Sequence, residues 1–221
     1  MIQVSPADAD GNHSCGLISD YEGVVTVYGV NVKENPVEAK KHIGYVPELA
    51  ELYDVLTPSE FLHFMGDLYG LEKNVCEDRI VKMMSAFGLE PNIHQRMDTF
   101  SKGMKQKVLL ASGIIHNPDI IILDEPLSGL DANSVIIVKD LISKLARDGK
   151  TIFYCSHMMD VVEKVSDRII LIDNGSIVAD GSFAELREQQ GNQSLEQIFA
   201  GLTAKESLGK AADDLLSAFD N

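Results

Sequence analysis

Hydrophobic residues occur along this chain in runs that switch between the spacing of strands and the spacing of helices. Positions 120–123 are apolar without interruption, which is typical of a strand buried on both faces of a parallel sheet. Helical spacing follows over 138–145, and 151–155 reads as another buried strand. This order of strand, helix and strand predicts a right-handed crossover in a parallel sheet. The fold class predicted from the pattern is therefore α/β.

Other segments also have the pattern of strands. Residues 24–28 form a β-branched run that ends at a glycine, and residues 43–46 form a short strand. The runs 168–172 and 176–179 flank Asp173-Asn174-Gly175, which predicts a hairpin with a tight primed turn.

A helical lobe is predicted between the early strands and the run at 120–123. Thr57, Pro58 and Glu60 combine a capping hydroxyl, a proline suited to the first turn and an acid that can complete a capping box. A helix should therefore begin there, and residues 58–117 are assigned to the lobe. The apolar positions at helical spacing are Phe61, Met65, Leu68 and Tyr69 before Gly70, and Ile80, Met83, Met84 and Phe87 before Gly88.

The domain organisation predicted from these patterns is simple. Residues 1–16 are polar and have no period that would bury a face, which predicts a leader outside the folded domain. Residues 17–203 are expected to form one α/β domain, because single cores of this size are common. Apolar residues continue at helical spacing near the end, so residues 204–221 are predicted to form a helical tail.

Composition and charge narrow the class of protein. The chain has 19 basic and 34 acidic residues, a formal charge of -15, which argues against nucleic acid or anionic lipid as a partner. No apolar run approaches the roughly 20 residues of a spanning helix, and the start does not have the pattern of a signal peptide. Cys15, Cys76 and Cys155 contain no CxxC pair, so a structural role is favoured. We expect a cytoplasmic protein that reaches a membrane only through a protein partner.

Two adjacent carboxylates, Asp124 and Glu125, follow the apolar run at 120–123. Ligands of open α/β sheets bind at the carboxyl ends of the strands. In phosphoryl transfer one acid can hold Mg²⁺ while a neighbouring group orients the attacking water. Asp124 is thus the candidate metal residue and Glu125 the candidate base. Two solvated acids before a proline are the alternative reading.

A second candidate site lies at Ser101-Lys102-Gly103, before an apolar helical stretch. Ser101 is suited to cap that helix. A helix start with a hydroxyl and a glycine can bind a phosphate, since free N–H groups and the helix dipole point toward it. An ordinary capped helix is the alternative for this segment alone.

The order of these motifs resembles that of the ABC ATPases, over about residues 16–202. Ser101 to Gln106 resembles the signature motif in the form found in ABC-2-type exporters, and Ile120 to Glu125 resembles Walker B. Three further segments match the D-loop, the switch histidine and the Q-loop: Ser128 to Asp131, Ser156-His157, and Ile43 to Glu48 with Glu48 where glutamine is usual. The resemblance implies a P-loop NTPase-like core, mainly parallel, with a helical subdomain.

The resemblance also implies ATP and Mg²⁺ as cofactors and a role for each matching residue. Asp124 would serve the metal, Glu125 would be the base and His157 would contact the γ-phosphate. The residues implied in nucleotide contact or in coupling between two sites are Ser101, Gly103, Gln106, Glu48 and Asp131. Taken alone, His157 would be an ordinary histidine at a strand end.

The sequence departs from the family at the phosphate-binding loop. Nothing in the sequence fits G-x-x-x-x-G-K-[ST], and residues 6–12, where the loop is expected, offer two acids instead of a lysine. We therefore expect an ABC core that is incomplete at its N-terminal edge, with an apolar strand edge lacking its neighbour. Such a chain should not hydrolyse ATP by itself, because the main electrostatic stabilisation of phosphoryl transfer is missing.

The function implied is the ATP-binding, energy-coupling subunit of an ABC transporter, in an ABC-2-type exporter. The alternatives are a non-hydrolysing subunit that donates its signature motif to an intact partner, and a non-transport ABC protein. The expected partners are a transmembrane permease and a second nucleotide-binding domain, with neither nucleic acid nor direct membrane insertion. Leu49 to Thr57 is the candidate surface for the permease, and packing within the lobe is the alternative for that segment.

Overall fold

The structure, a computed structural model, describes residues 23–49 and 52–203. The chain divides into two compact units, one up to His157 and one from Met158, and each is described by itself. The predicted leader 1–16 and the predicted tail 204–221 lie outside the described residues.

The described part of the first unit begins with a short hairpin and a short helix. Its elements are β1 (Thr26–Val27), β2 (Val30–Asn31) and α1 (Pro36–Lys41). Tyr28 and Gly29 form the turn with φ of +50° and +79°, as in the primed turns that match strand twist. The strand predicted at 24–28 is therefore present but shorter, because the chain turns back directly after Val27.

The core of the first unit is a parallel sheet of three strands in the order β3-β4-β5. These strands are β3 (Ile43–Val46), β4 (Ile120–Asp124) and β5 (Thr151–Cys155), and all three follow the predicted runs. Ile43 is opposite Ile120, and Ile120 is opposite Thr151, so the strands start level with one another. The four residues at 120–123 are buried, as predicted for a strand with a neighbour on each side.

Strand β5 differs from its prediction in burial. Thr151 is exposed and residues 152–155 are only half-buried, so the expectation of a strand buried on both faces is wrong. Among the strands that the structure describes, β5 has β4 as its single neighbour. Strand β3 also has β4 as its single described neighbour yet has three buried residues, so border position alone does not account for the exposure of β5.

The α-helices described between β3 and β4 in the chain are α2 (Pro58–Leu68), α3 (Lys73–Ala86) and α4 (Lys102–Ile114). The predicted capping box begins α2, because Thr57 Oγ1 accepts from Glu60 N at 3.2 Å and Glu60 accepts from Thr57 N at 2.8 Å. Leu68 is 65% exposed, so its assignment to the buried face is wrong. The packed face of α2 is formed instead by Phe61, Leu62 and Gly66.

Helix α4 packs directly on β3 through two glycines. A Cβ atom added to Gly44 would overlap the carbonyl oxygen of Gly113 and lie 2.8 Å from Pro118 Cγ. A Cβ atom added to Gly113 would lie 2.5 Å from Val46 Cγ2. The two backbones therefore approach closely, at a place where only glycine fits.

Helix α5 (Ala132–Arg147) connects β4 to β5 and supplies the predicted crossover. Val138 and Ile142 are buried, while Ile136 is 66% exposed. A cluster of buried apolar residues joins the first hairpin and α1 to the sheet: Val25, Val27, Val32, Ala39, Ile43, Ile120 and Ile122.

The second unit, as far as Thr203, contains three α-helices and a hairpin: α6 (Met159–Val165), β6 (Ile169–Asp173), β7 (Ser176–Gly181), α7 (Phe183–Gln189) and α8 (Leu195–Thr203). Asn174 and Gly175 have φ of +46° and +75°, which confirms the primed turn between β6 and β7. Leu195 and Ile198 are buried on one face of α8. No helix among residues 23–49 and 52–203 is long and apolar enough to cross a membrane.

His116 follows α4 and is held without a charge. Its ring stacks on Tyr69 with centroids 3.6 Å apart, and its Nε2 lies 3.1 Å from the carbonyl oxygen of Ile43. Burial lowers the pKa of His116 to about 4, although the hydrogen bond to Ile43 opposes that shift. The ring is therefore neutral at pH 7 and donates its Nε2 proton to Ile43.

Because His116 is neutral in the folded protein, we expect the protein to lose stability in mild acid. In the unfolded chain His116 has a pKa near 6.5 and binds a proton below that pH. In the folded chain it stays unprotonated down to a pH of about 4. The free energy of unfolding should thus fall by about 1–2 kcal/mol as the pH drops through this window, a figure reduced for the partial exposure of the ring. Urea titrations at several pH values would measure the fall.

The comparison for this prediction is His116→Phe, which keeps an aromatic ring against Tyr69 but cannot bind the proton. We expect the variant to lose less stability than the wild type between pH 6.5 and 4. Equal losses in the two proteins would contradict the assignment of the effect to His116.

Candidate functional site

Glu125 lies directly beyond β4, where the sheet continues for one more residue. Its N–H donates to the carbonyl oxygen of Cys155 at 2.9 Å, which keeps it next to the end of β5. Its φ is +44°, in the left-handed region, and Pro126 follows. A non-glycine residue in this conformation costs of order 1–3 kcal/mol and such strain clusters at functional sites. The backbone thus turns sharply at the predicted base.

The Glu125 carboxylate is held by the residues that follow β5. Ser156 Oγ donates to Oε2 at 2.9 Å, and the His157 N–H donates to Oε1 at 2.7 Å. His157 Nδ1 also lies 2.7 Å from Oε1. The Glu125 side chain is 14% exposed while that of His157 is 84% exposed. The tertiary structure therefore brings together the predicted base and the predicted switch histidine, with the free edge of the imidazole facing solvent.

Asp124 is the last residue of β4 and lies opposite Cys155 in the register with β5. It is half-buried and engaged in an interaction within the fold. Within the described part of the chain, no group of three or more His, Cys, Asp or Glu side chains could hold a metal ion. Mg²⁺ in phosphate-transfer sites uses one or two carboxylates together with substrate phosphates. The donor set around Asp124 is compatible with that manner of binding.

The N-terminus of α4 has the serine cap that the sequence predicts. Ser101 Oγ caps the helix by accepting from the N–H of Met104 at 3.2 Å. Gly103 lies against the loop after β4, because a Cβ atom there would be 2.5 Å from the carbonyl oxygen of Gly129. The first turn of the helix is therefore fixed to this loop, which we call the 126–131 loop.

Gln106 and Asp131 have structural contacts in addition to their predicted roles. Gln106 is fully buried and its Nε2 donates to the carbonyl oxygen of Pro126 at 3.3 Å. Asp131 caps α5 by accepting from the N–H and Oγ of Ser134 at 3.0 and 2.6 Å. The hydrogen bonds from Ser134, and then one from Lys107, hold the pKa of Asp131 well below its ordinary value. Asp131 is thus a carboxylate at any physiological pH.

Glu48, the predicted nucleotide contact after β3, is exposed. The structure does not place Glu48 in contact with the pair formed by Glu125 and His157. Residues 6–12, where the phosphate-binding loop is expected, lie outside the described residues.

Sequence reasoning assigned no role to the lysines of α4. Lys102 Nζ donates to Ser128 Oγ at 2.9 Å, and Lys107 Nζ lies 3.1 Å from Asp131 Oδ2. Lys105 Nζ lies 2.6 Å from Asp54 Oδ2. Three lysines within six positions at a helix start were visible in the sequence, but their partners were not, because those partners are distant in the chain.

Known proteins resemble this chain in sequence and in fold. A family model described as ABC transporter matches residues 12–128. The chain is similar to the ABC transporter ATP-binding protein NatA of Bacillus subtilis, with 38% identity over 83% of this chain and 75% of that protein. It is also similar to the linearmycin resistance ATP-binding protein LnrL of the same organism, with 33% identity over 83% of this chain and 59% of that protein.

A solved structure is similar as well. It is titled as the structure of the ATP binding subunit of an ABC transporter. The TM-score is 0.82 at 29% identity, over 87% of this chain and 81% of that chain.

Proposed function

Since this chain belongs to the family of ABC transporter ATP-binding proteins, we propose that it is the energy-coupling subunit of an ABC-2-type exporter. The names of the two relatives above describe both as ATP-binding proteins, and one is named for resistance to linearmycin. An ATP-binding subunit of this kind converts nucleotide binding into movement of a permease. We place the subunit at the cytoplasmic face of the membrane, held there by its permease.

A single observation carries this proposal: a carboxylate at the end of β4 is held against an imidazole at the end of β5. The two residues are 32 positions apart, and Glu125 Oε1 lies 2.7 Å from His157 Nδ1. Phosphoryl transfer requires a group that orients water beside a group that meets the transferred phosphate. Glu125 and His157 can divide these two tasks, since they meet at the sheet edge where ligands bind.

Other residues would complete the site when ATP and Mg²⁺ are bound. Mg²⁺ would supply charge neutralisation for the phosphates, with Asp124 as its protein ligand. Ser101 and Gly103 would present the N-terminus of α4 to a phosphate held by a second nucleotide-binding domain. Asp131 would face that second domain. Gln106 is assigned the task of holding the 126–131 loop, because its side chain is buried against Pro126.

The permease is proposed to contact an exposed apolar surface on the helical lobe. Leu49, Tyr53 and Val55 are 63%, 62% and 65% exposed, so they do not pack into the lobe. Tyr53 meets the half-exposed Phe64 edge to face, with ring centroids 6.3 Å apart, which extends the surface onto α2. Exposed apolar patches of this kind are typical of protein interfaces. This favours a coupling surface over packing within the lobe.

The 221-residue polypeptide is proposed to be inactive alone, because its sequence has no G-x-x-x-x-G-K-[ST] to cradle and neutralise the phosphates. The alternative role, in which it lends its signature motif to an intact partner, uses the same first turn of α4, which Ser101 caps. Both roles place Ser101 at the partner's nucleotide.

The test is an ATPase and calorimetric measurement on the purified chain, alone and in a mixture. Alone, we expect neither heat of binding with ATP and Mg²⁺ nor turnover above background. The mixture contains an intact subunit of the family whose own signature serine is replaced by arginine. There we expect Mg²⁺-dependent turnover at least about tenfold above the sum of the separate proteins.

Ser101→Arg in this chain should abolish the turnover of the mixture, because the bulky side chain blocks the phosphate contact. Ser85→Arg, an exposed serine at the end of α3, is the matched control and should retain it. Strong turnover by the chain alone would refute its inactivity. A mixture that stays inactive, or that is indifferent to Ser101→Arg, would refute the lending of the signature motif.

A further inference from the structure

Helix α4 carries three lysines that bind two different parts of the first unit. Lys105 Nζ lies 2.6 Å from Asp54 Oδ2, in the segment formed by residues 52–56, where Tyr53 and Val55 are exposed. Lys102 Nζ donates to Ser128 Oγ at 2.9 Å, and Lys107 Nζ lies 3.1 Å from Asp131 Oδ2, both in the 126–131 loop. The segment and the loop are thus bound to one helix by charged groups.

We propose that Lys102, Lys105 and Lys107 are positioning residues that couple the 52–56 segment to the 126–131 loop through α4. The inference rests on the proposed function, in which the segment meets the permease and the loop follows Glu125. Displacement of the permease-facing segment then moves α4, and α4 moves the loop that follows Glu125.

The loop side of the link is a continuous contact along the helix. At about 100° per residue, positions 102, 103, 106 and 107 fall within an arc of about 140°, and position 105 lies outside it. All four of these positions contact the 126–131 loop, as described above for Gly103 and Gln106. The methylenes of Lys102 also cover Gly129, since a Cβ atom there would be 3.1 Å from Lys102 Cγ. Helix and loop therefore move as one piece.

The segment side of the link is held by both backbone and charge. Met97 N donates to Leu56 O at 3.0 Å, and Asp98 N donates to Asp54 O at 2.9 Å. The ion pair of Asp54 with Lys105 adds a side-chain tie from this segment to α4, in which the lysine side chain is 21% exposed and the aspartate side chain 46% exposed. A partly buried ion pair is weakened less by solvent than an exposed one. The pair can therefore transmit a displacement of the segment to the helix.

The experiment is hydrogen exchange of the full chain, followed by NMR, on variants at the segment end of the link. The reporters are the amides of Ser128 and Leu130, which donate to Glu125 O and Leu127 O at 3.0 and 3.2 Å. Asp54→Asn and Lys105→Met should each raise exchange at these amides about fivefold, although neither residue touches the loop. The double variant should show the same fivefold rise in exchange, because both substitutions remove the same ion pair.

Lys107→Met should raise exchange at the same amides about tenfold, since it removes a direct contact with the loop. Lys105→Arg keeps the charge and should restore the wild-type rates. Asp140→Asn is the control, because its pair with Lys144 at 2.6 Å lies on an exposed face of α5. It should leave the reporter amides unchanged.

Two results would overturn the proposal. One is an effect of Asp54→Asn confined to the amides of residues 54–56 and 97–98. The other is an equal rise at the amides of β4, which would mark general destabilisation. Neither nucleotide nor permease enters this measurement, so its failure is distinct from a failure of the ATPase test.

Discussion

Gly44→Ala is expected to lower the free energy of unfolding by about 3–5 kcal/mol, a large part of the stability of a typical domain. The added methyl group would overlap the carbonyl oxygen of Gly113, a backbone atom of α4 that cannot rotate away. Relief requires the helix to move off β3. We therefore expect partial or complete unfolding of the first unit at 37 °C.

The measurement is urea unfolding followed by far-ultraviolet circular dichroism. Gly201→Ala is the matched control, because nothing lies within 4 Å of a Cβ atom at that helical position. It should be neutral or stabilising by up to about 1 kcal/mol through helix propensity. Wild-type stability in Gly44→Ala would show that β3 and α4 are not packed as described.

Ile122→Ala is expected to cost about 3–4 kcal/mol, because it leaves a cavity in the central strand. Ile122 is 1% exposed and lies between Tyr45 of β3 and Phe153 of β5 in the sheet register. Neighbours on both sides are fixed by backbone hydrogen bonds, so the sheet cannot close around the lost atoms.

The same substitution at Ile136 tests the effect of burial alone. Ile136 is 66% exposed on α5, and alanine is the better helix former. Ile136→Ala should therefore stay within about 0.5 kcal/mol of the wild type. If both variants lost the same stability in urea unfolding, burial in the sheet core would not be the cause.

Gly44→Ala and Ile122→Ala both change the parallel sheet that holds the candidate site in place. Strand β4 delivers Asp124 and Glu125, and β5 delivers the residues that hold the Glu125 carboxylate. The contact between Glu125 and His157 depends on the register of these two strands. A loosened sheet should therefore separate the pair before the whole chain unfolds.

The sequence alone determined the strands of the parallel sheet, the hairpin of β6 and β7, five of the eight described α-helices and the family. Apolar runs located the bounds of β3 and located β4 to within one residue, since β4 also includes Asp124. Local chemistry located the start of α2 and the turn between β6 and β7. Helix α7 was not predicted because it is short, although Ser182 and Glu185 form a capping box there.

Only the tertiary structure decided which faces are buried and which charges meet. Leu68 fits an apolar helical face by spacing, yet it is exposed, because α3 and α4 pack on the side of α2 that carries Leu62. The run at 151–155 has an apolar pattern like that of β4, yet Thr151 is exposed and the other four residues are only half-buried. The contacts of Lys105 with Asp54 and of Glu125 with His157 join residues 51 and 32 positions apart. Local pattern records what a segment prefers, whereas burial and ion pairing depend on what the rest of the chain places beside it.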